Sequence, residues 1–177
     1  LGARVMQRLG VSTQLLAGGD IFPALEKGVI DATEFSMPAM DIKYGFYQIA
    51  KNNYFPGWHQ QVSVSQLLIN NDKWNSLPDQ FQAMVEIACG DSIHNTYSET
   101  EYVNPFAMVE MGEKYGVKTR RWRDDQIAEF EKAWNAVVAE DSAKDPLFKE
   151  VNESYSKFRK AYSKWGAAQS LKPTYLK

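Results

Sequence analysis

Between Gly18 and Phe35 the chain reads Gly-Gly-Asp-Ile-Phe-Pro-Ala-Leu-Glu-Lys-Gly-Val-Ile-Asp-Ala-Thr-Glu-Phe, and this run constrains the fold more than any other. A Gly-Gly turn leads into a short amphipathic helix, Ile21–Lys27, with Ile21, Phe22 and Leu25 on one side. Gly28 ends that helix, because glycine adopts the left-handed conformation of a helix C-cap without steric penalty. A strand, Ala32–Ser36, is expected next, with the carboxylate of Glu34 near its tip. Upstream, Leu1–Leu9 reads as a helix closed by Gly10, and Val11–Ala17 as a short strand. The αβαβ alternation implies an α/β fold with a parallel-type sheet.

The pattern then turns helical. Pro38 starts a helix through about Ala50, with Ile42, Phe46 and Ile49 on one stripe. Pro56-Gly57 is a turn, and Val62–Ile69 is a β-rich run suited to a strand crossing between lobes. Asp72 caps a short turn; Ser76 or Asp79 caps a long helix that starts near Pro78 and runs to Lys114, with Gly116 at its end and Pro105 expected to kink it. Val117–Trp122 reads as a strand, and Asp124-Asp125 caps helix Gln126–Glu140. Pro146 starts the last helix, to roughly Ser170, where Val151, Tyr155, Phe158, Tyr162 and Trp165 recur at spacings of three and four. Such a stripe is usually core. We divide the chain into an αβ lobe, 1–70, carrying the cleft segments, and a part, 71–177, of long helix, short strand and C-terminal helices.

Composition narrows the function classes. A net charge of −2 offers no basic face for nucleic acid. The apolar runs fall short of the roughly 20 residues of a membrane-spanning helix. The one cysteine, Cys89, rules out an internal disulfide framework or a multi-cysteine zinc site. Its apolar helical setting, Ala83–Cys89, predicts a buried, inert thiol. With two histidines, His59 and His94, and no nucleophile, metal-protease or phosphate-loop motif, the chain does not read as an enzyme. His94 is expected at the surface, and His59 as a structural or cleft-lining imidazole.

The run from Gly18 to Phe35 resembles, almost residue for residue, a hallmark of the DctP-like solute-binding proteins of tripartite ATP-independent periplasmic (TRAP) transporters. The resemblance covers essentially the whole chain but only the family's C-terminal part. It implies the C-terminal half of a two-lobed fold like that of type II periplasmic binding proteins, with the signal peptide outside this sequence. It also implies a periplasmic location, membrane permease subunits as partners, and a long C-terminal helix that packs over both lobes or is exchanged in a homodimer.

Two segments resemble the branch that binds 2-oxo acids and lactate. In Asp31-Ala-Thr-Glu34-Phe35, the resemblance implies that Glu34 supplies a carboxylate, and Phe35 a backbone carbonyl, to a Na or Ca ion bridging the ligand. Hard cations take oxygen donors of this kind. In Tyr54-Phe-Pro-Gly-Trp58-His59-Gln60, the branch carries glutamate where this chain has Gln60. The amide removes one negative charge, which favours a monovalent ion or a different ligand. Met37 and Met40 add a soft apolar wall. The implied substrate-binding set is Glu34, Phe35, Met37, Trp58 and Gln60, and the implied metal set Glu34, Phe35 and Gln60. Glu34 is expected at a strand end, partly buried and facing Gln60. The resemblance also implies that the arginine with which the family grips the substrate carboxylate is to be expected upstream of Leu1, and that Arg4 and Arg8 do not replace it.

The expected function is therefore non-catalytic capture of a small organic acid, a 2-oxo or 2-hydroxy monocarboxylate. The alternatives are an enzyme using Glu34 and His59 as an acid–base pair, and a helical interaction module built on the aromatic stripe. Without the resemblance, ordinary loop packing and strand-end packing are the plainer readings of both segments.

Overall fold

The computed structural model describes residues 1–58, 60 and 62–169. His59 and the Ser170 end of the last helix lie outside them. Two compact units divide the chain: Leu15–Trp122, and Leu1–Gln14 together with the residues from Arg123 on.

In the first of these, α2 (Gly18–Glu26) follows the Gly-Gly turn, and α3 (Pro38–Lys43) starts on a proline whose missing N–H costs a helix nothing at its first turn. A 3₁₀ turn, Phe46–Gln48, comes next. Strand β1 (Asn52–Phe55) pairs in parallel with β2 (Lys118–Arg121), Asn52 opposite Lys118 and Phe55 opposite Arg121. The Lys118 N–H donates to the Lys51 carbonyl at 2.8 Å, and Arg120 Nε to Asn52 Oδ1 at 2.7 Å. Between the strands lie α4 (Asn71–Asn75) and α5 (Asp79–Glu113), a 35-residue helix continuous through Pro105. The end of α5 is tied to β2 by the Val117 N–H, which donates to Met111 O at 2.8 Å. Ile21, Phe46, Ala107, Met111 and Val117 form the buried apolar set of this unit.

The other unit joins α1 (Gly2–Arg8), α6 (Asp124–Lys144) and α7 (Pro146–Gln169). Val5 and Val137 are fully buried and Ala133 nearly so. Around them Arg4 pairs with Glu140 and Asp141, and Arg8 with Glu140. These side chains stay solvated, so each pair contributes roughly 0–1 kcal/mol, and their role is to set how α1 lies on α6. Both arginines are thus engaged in ion pairs with α6.

Gly10, Gly28 and Gly116, the glycines expected to end helices, have φ of 81°, 67° and 67°. The strands fare differently. Val11–Ala17, Ala32–Ser36 and Val62–Ile69 form no ladder, whereas Asn52–Phe55, not expected as a strand, does. Two further expectations fail for the same reason: nothing described packs over the surfaces concerned. Cys89 is exposed rather than buried. The aromatic stripe of α7 is open as well, from Tyr162 at 50% to Phe158 at 63% exposure, and buries no residue.

Candidate functional site

Phe35 is the best-anchored of the expected residues. Its ring meets those of Tyr44 and Phe46 edge-on, at 4.7 and 5.0 Å between centroids, and Phe46 also stacks with Phe22 at 6.4 Å. Edge-on aromatic contacts are favoured by ring quadrupoles and add to the area buried. Gly45 makes this cluster possible. Its φ is 77°, and a Cβ there would sit 2.7 Å from Gln48 Nε2 and 3.5 Å from the Phe22 ring. A side chain held this way fixes its own main chain, and so fixes where the neighbouring Glu34 emerges.

Glu34 itself is exposed, in extended backbone that belongs to no strand. This corrects the expectation of a partly buried carboxylate: the described residues contribute no wall over it. No hydrogen bond or ion pair joins it to Gln60. Gln60 is exposed and donates from Nε2 to Ser63 Oγ at 2.9 Å. Trp58 is half-buried, beyond a turn in which Phe55-Pro56 is cis and Gly57 lies 3.2 Å, measured from a Cβ built on it, from the Gln60 carbonyl. Met37 is 42% exposed, with its sulfur 3.6 Å from Asn104 Nδ2. The structure thus anchors Phe35 firmly and leaves the Glu34 and Gln60 side chains unlinked to each other. An open groove of about 400 Å³ lined by Leu67, Ile69, Trp74, Val85 and Cys89 includes none of these residues.

One carboxylate escaped sequence reasoning. Asp41, in the first turn of α3, is half-buried, and its Oδ1 is shut off from water without a hydrogen-bond partner among the described residues. Burial first, and the negative charge of Glu34 second, push its carboxyl up to about 6 from the usual 3.8. The neighbouring backbone is held from α5: the Ala39 N–H donates to Asn104 Oδ1 at 3.0 Å, while Asn104 Nδ2 donates to Thr100 O at 2.8 Å. The signal available was spacing. Asp41 lies three residues after Pro38, which is buried, and so on the inward side of the helix.

Among the described residues, no group of three or more His, Cys, Asp and Glu could hold a metal, and no helix is long and apolar enough to cross a membrane. A cation bound here would have to draw on main-chain or ligand oxygens as well as carboxylates.

Residues 1–145 match the model of bacterial extracellular solute-binding protein family 7, known as DctP. The chain belongs to this family. It is similar to the monocarboxylate 2-oxoacid-binding periplasmic protein of Nostoc sp., 32% identical over 171 residues, which cover 97% of this chain and 47% of that protein. Among solved structures it is similar to a TRAP transporter solute-binding protein from Bordetella bronchiseptica, with a TM-score of 0.85 and 32% identity over 96% of this chain and 50% of that one. That protein is a mixed-occupancy dimer with calcium and picolinate in one site. A TRAP periplasmic solute-binding protein from Colwellia psychrerythraea, with bound calcium and pyruvate, matches at a TM-score of 0.88 and 25% identity over 95% of this chain and 51% of that one. The fold is that of TRAP solute-binding proteins, and the chain spans about half the length of the relatives it matches.

Proposed function

We propose that this chain forms part of a periplasmic solute-binding protein that captures a small 2-oxo or 2-hydroxy monocarboxylate for a TRAP permease, without chemical turnover. The observation that carries this reading is the 32% identity, across nearly the whole chain, to a 2-oxoacid-binding periplasmic protein. The residues fit a cation. Glu34 presents an exposed carboxylate beside the anchored main chain of Phe35, and Asp41 holds a buried oxygen with no donor among the described residues. Glu34 and the Phe35 carbonyl would hold calcium or sodium, with Gln60 as a further oxygen donor; the ion would supply positive charge for the ligand's carboxylate. Met37 and Trp58 would line the apolar side of the cleft. In the complete fold, residues 1–70 would carry the cleft and 71–177 would pack across the lobes, with the open stripe of α7 covered there or by a second copy. No observation favours the enzyme reading of Glu34 with His59.

The test is the thermal shift of the full-length protein with 2-oxo acids, 2-hydroxy acids and sugar acids, each with calcium, with sodium and with chelator. Ion-dependent stabilisation by the first two classes is expected. Stabilisation by sugar acids alone would overturn the reading.

A further inference from the structure

We propose that Asn104 is a positioning residue that holds the Met37 side chain as one wall of the ligand site, and that this wall favours 2-oxo acids with an apolar tail longer than that of pyruvate. This rests on the solute-binding reading above, in which Met37 lines the cleft.

Met37 stands two residues after Phe35, so at about 3.3–3.6 Å of chain per residue their Cα atoms lie within roughly 7 Å of each other. It is the residue that leads into α3, with φ −128° and ψ 159°, and its side chain does not cap the helix. Pro38 has no N–H, and the N–H groups of Met40 and Asp41 both donate to Met37 O at 2.9 Å. The Ala39 N–H is left over, and it donates to Asn104 Oδ1 at 3.0 Å. The cap that α3 lacks in its own sequence thus comes from α5.

This contact also orients the amide. A backbone N–H can only donate, so Oδ1 faces Ala39 and Nδ2 faces the other way with two protons to give. Nδ2 lies 2.8 Å from Thr100 O and 3.6 Å from the Met37 sulfur. A half-exposed methionine has three rotatable bonds and ordinarily samples several rotamers. Here its sulfur, a weak acceptor, meets a donor that is itself tied to main chain at two points. The Phe35 ring, held by Tyr44 and Phe46, steadies the other end of the segment. The result is a thioether wall that is soft but kept in one place, suited to an alkyl tail and offering little to a polar one.

A methylene against a fixed apolar wall is worth roughly tenfold or more in affinity. A wall free to swing away forfeits most of that. The experiment measures, by calorimetry on the full-length protein with calcium present, the ratio of 2-oxobutyrate to pyruvate affinity in the wild type, Asn104→Ala, Met37→Leu and the double variant. Leucine keeps the volume and removes the sulfur. The wild type should favour 2-oxobutyrate. Asn104→Ala should weaken both acids by a common factor through α3 and lower the ratio about fivefold besides. Met37→Leu should lower the ratio similarly, and the double variant no further, because both changes break one contact. An unchanged ratio in Asn104→Ala, additive drops in the double variant, or a wild type that favours pyruvate would overturn the role of Asn104 and leave the solute-binding reading intact. A wild type that binds neither acid would overturn that reading, and this proposal with it.

Discussion

Replacing Asp41 by asparagine is expected to stabilise the ligand-free protein at neutral pH and not at acid pH. Asparagine has nearly the shape of the protonated acid and carries no charge. The Asp41 carboxyl titrates near 6 in the fold against 3.8 as its ordinary value, because burial and Glu34 disfavour the anion. Between those values the folded state binds more protons than the unfolded state, so stability falls as pH rises through them and stays lower above about 6. Two units at about 1.4 kcal/mol each set a ceiling of about 3 kcal/mol. The half-buried side chain keeps some contact with water, which brings the expected gain to about 1–2 kcal/mol. Urea denaturation of both proteins at pH 3.5, 5 and 7.5, with chelator and no ligand, measures it. The difference should be near zero at pH 3.5 and complete at pH 7.5. An Asn variant no more stable at pH 7.5, or one whose advantage is the same at all three pH values, would refute the reasoning.

Other substitutions probe the frame that holds the site. Phe46→Ala should cost about 3–5 kcal/mol in urea denaturation, because the buried ring touches Phe35, Tyr44 and Phe22. Gly45→Ala should cost on the order of 1–2 kcal/mol from its backbone alone, plus a clash with Gln48; adding Gln48→Ala should recover the clash and leave the backbone penalty, as thermal unfolding of the pair would show. Asn104→Ala should cost about 1 kcal/mol and weaken ion-dependent binding by loosening the start of α3. Glu34→Gln should lower calcium-dependent pyruvate affinity at least about tenfold with folding nearly unchanged, since an exposed oxygen donor is weakened and no cavity opens; calorimetry alongside a melting curve separates the two effects.

The helices were legible because the information that makes them is local. Apolar spacing, Pro38 and Pro146 at first turns, and glycines at ends lie within a few residues of what they specify, and each expected helix has a counterpart among the described residues, although the one from Pro38 stops at Lys43, before Gly45 at φ 77°, rather than near Ala50. The strands were not, since a strand exists only where a second chain segment supplies its hydrogen bonds. Val62–Ile69 has the composition of a strand and no partner among the described residues. Asn52–Phe55 opens on two asparagines, which are depleted in strands, and is one because β2 lies alongside. The site divides in the same way. A motif names Glu34 and Phe35 as expected ligands, whereas the setting of Asp41 depends on residues far along the chain, such as Asn104 of α5, which holds the Ala39 N–H.

The exposed surface follows from the same physics. Along the first half of α5, Phe81, Met84, Ile87, Ile93 and Tyr97 are between 47% and 72% exposed, while the second half buries Ala107 and Met111. A helix with apolar residues on several faces is ordinarily surrounded. Parallel strands likewise occur almost only in sheets covered on both faces, yet every residue of β2 is exposed. Leu67 and Leu68, at 62% and 86% exposure, sit in extended backbone with no ladder to join. Apolar area left to water at this scale forfeits about 25 cal/mol for each Å² that could be buried. These surfaces and the uncovered Glu34 have one reading in common. The chain spans about half the length of the relatives it matches, and in any longer chain of this family that carries this sequence, a further part of the fold is expected to lie over these surfaces.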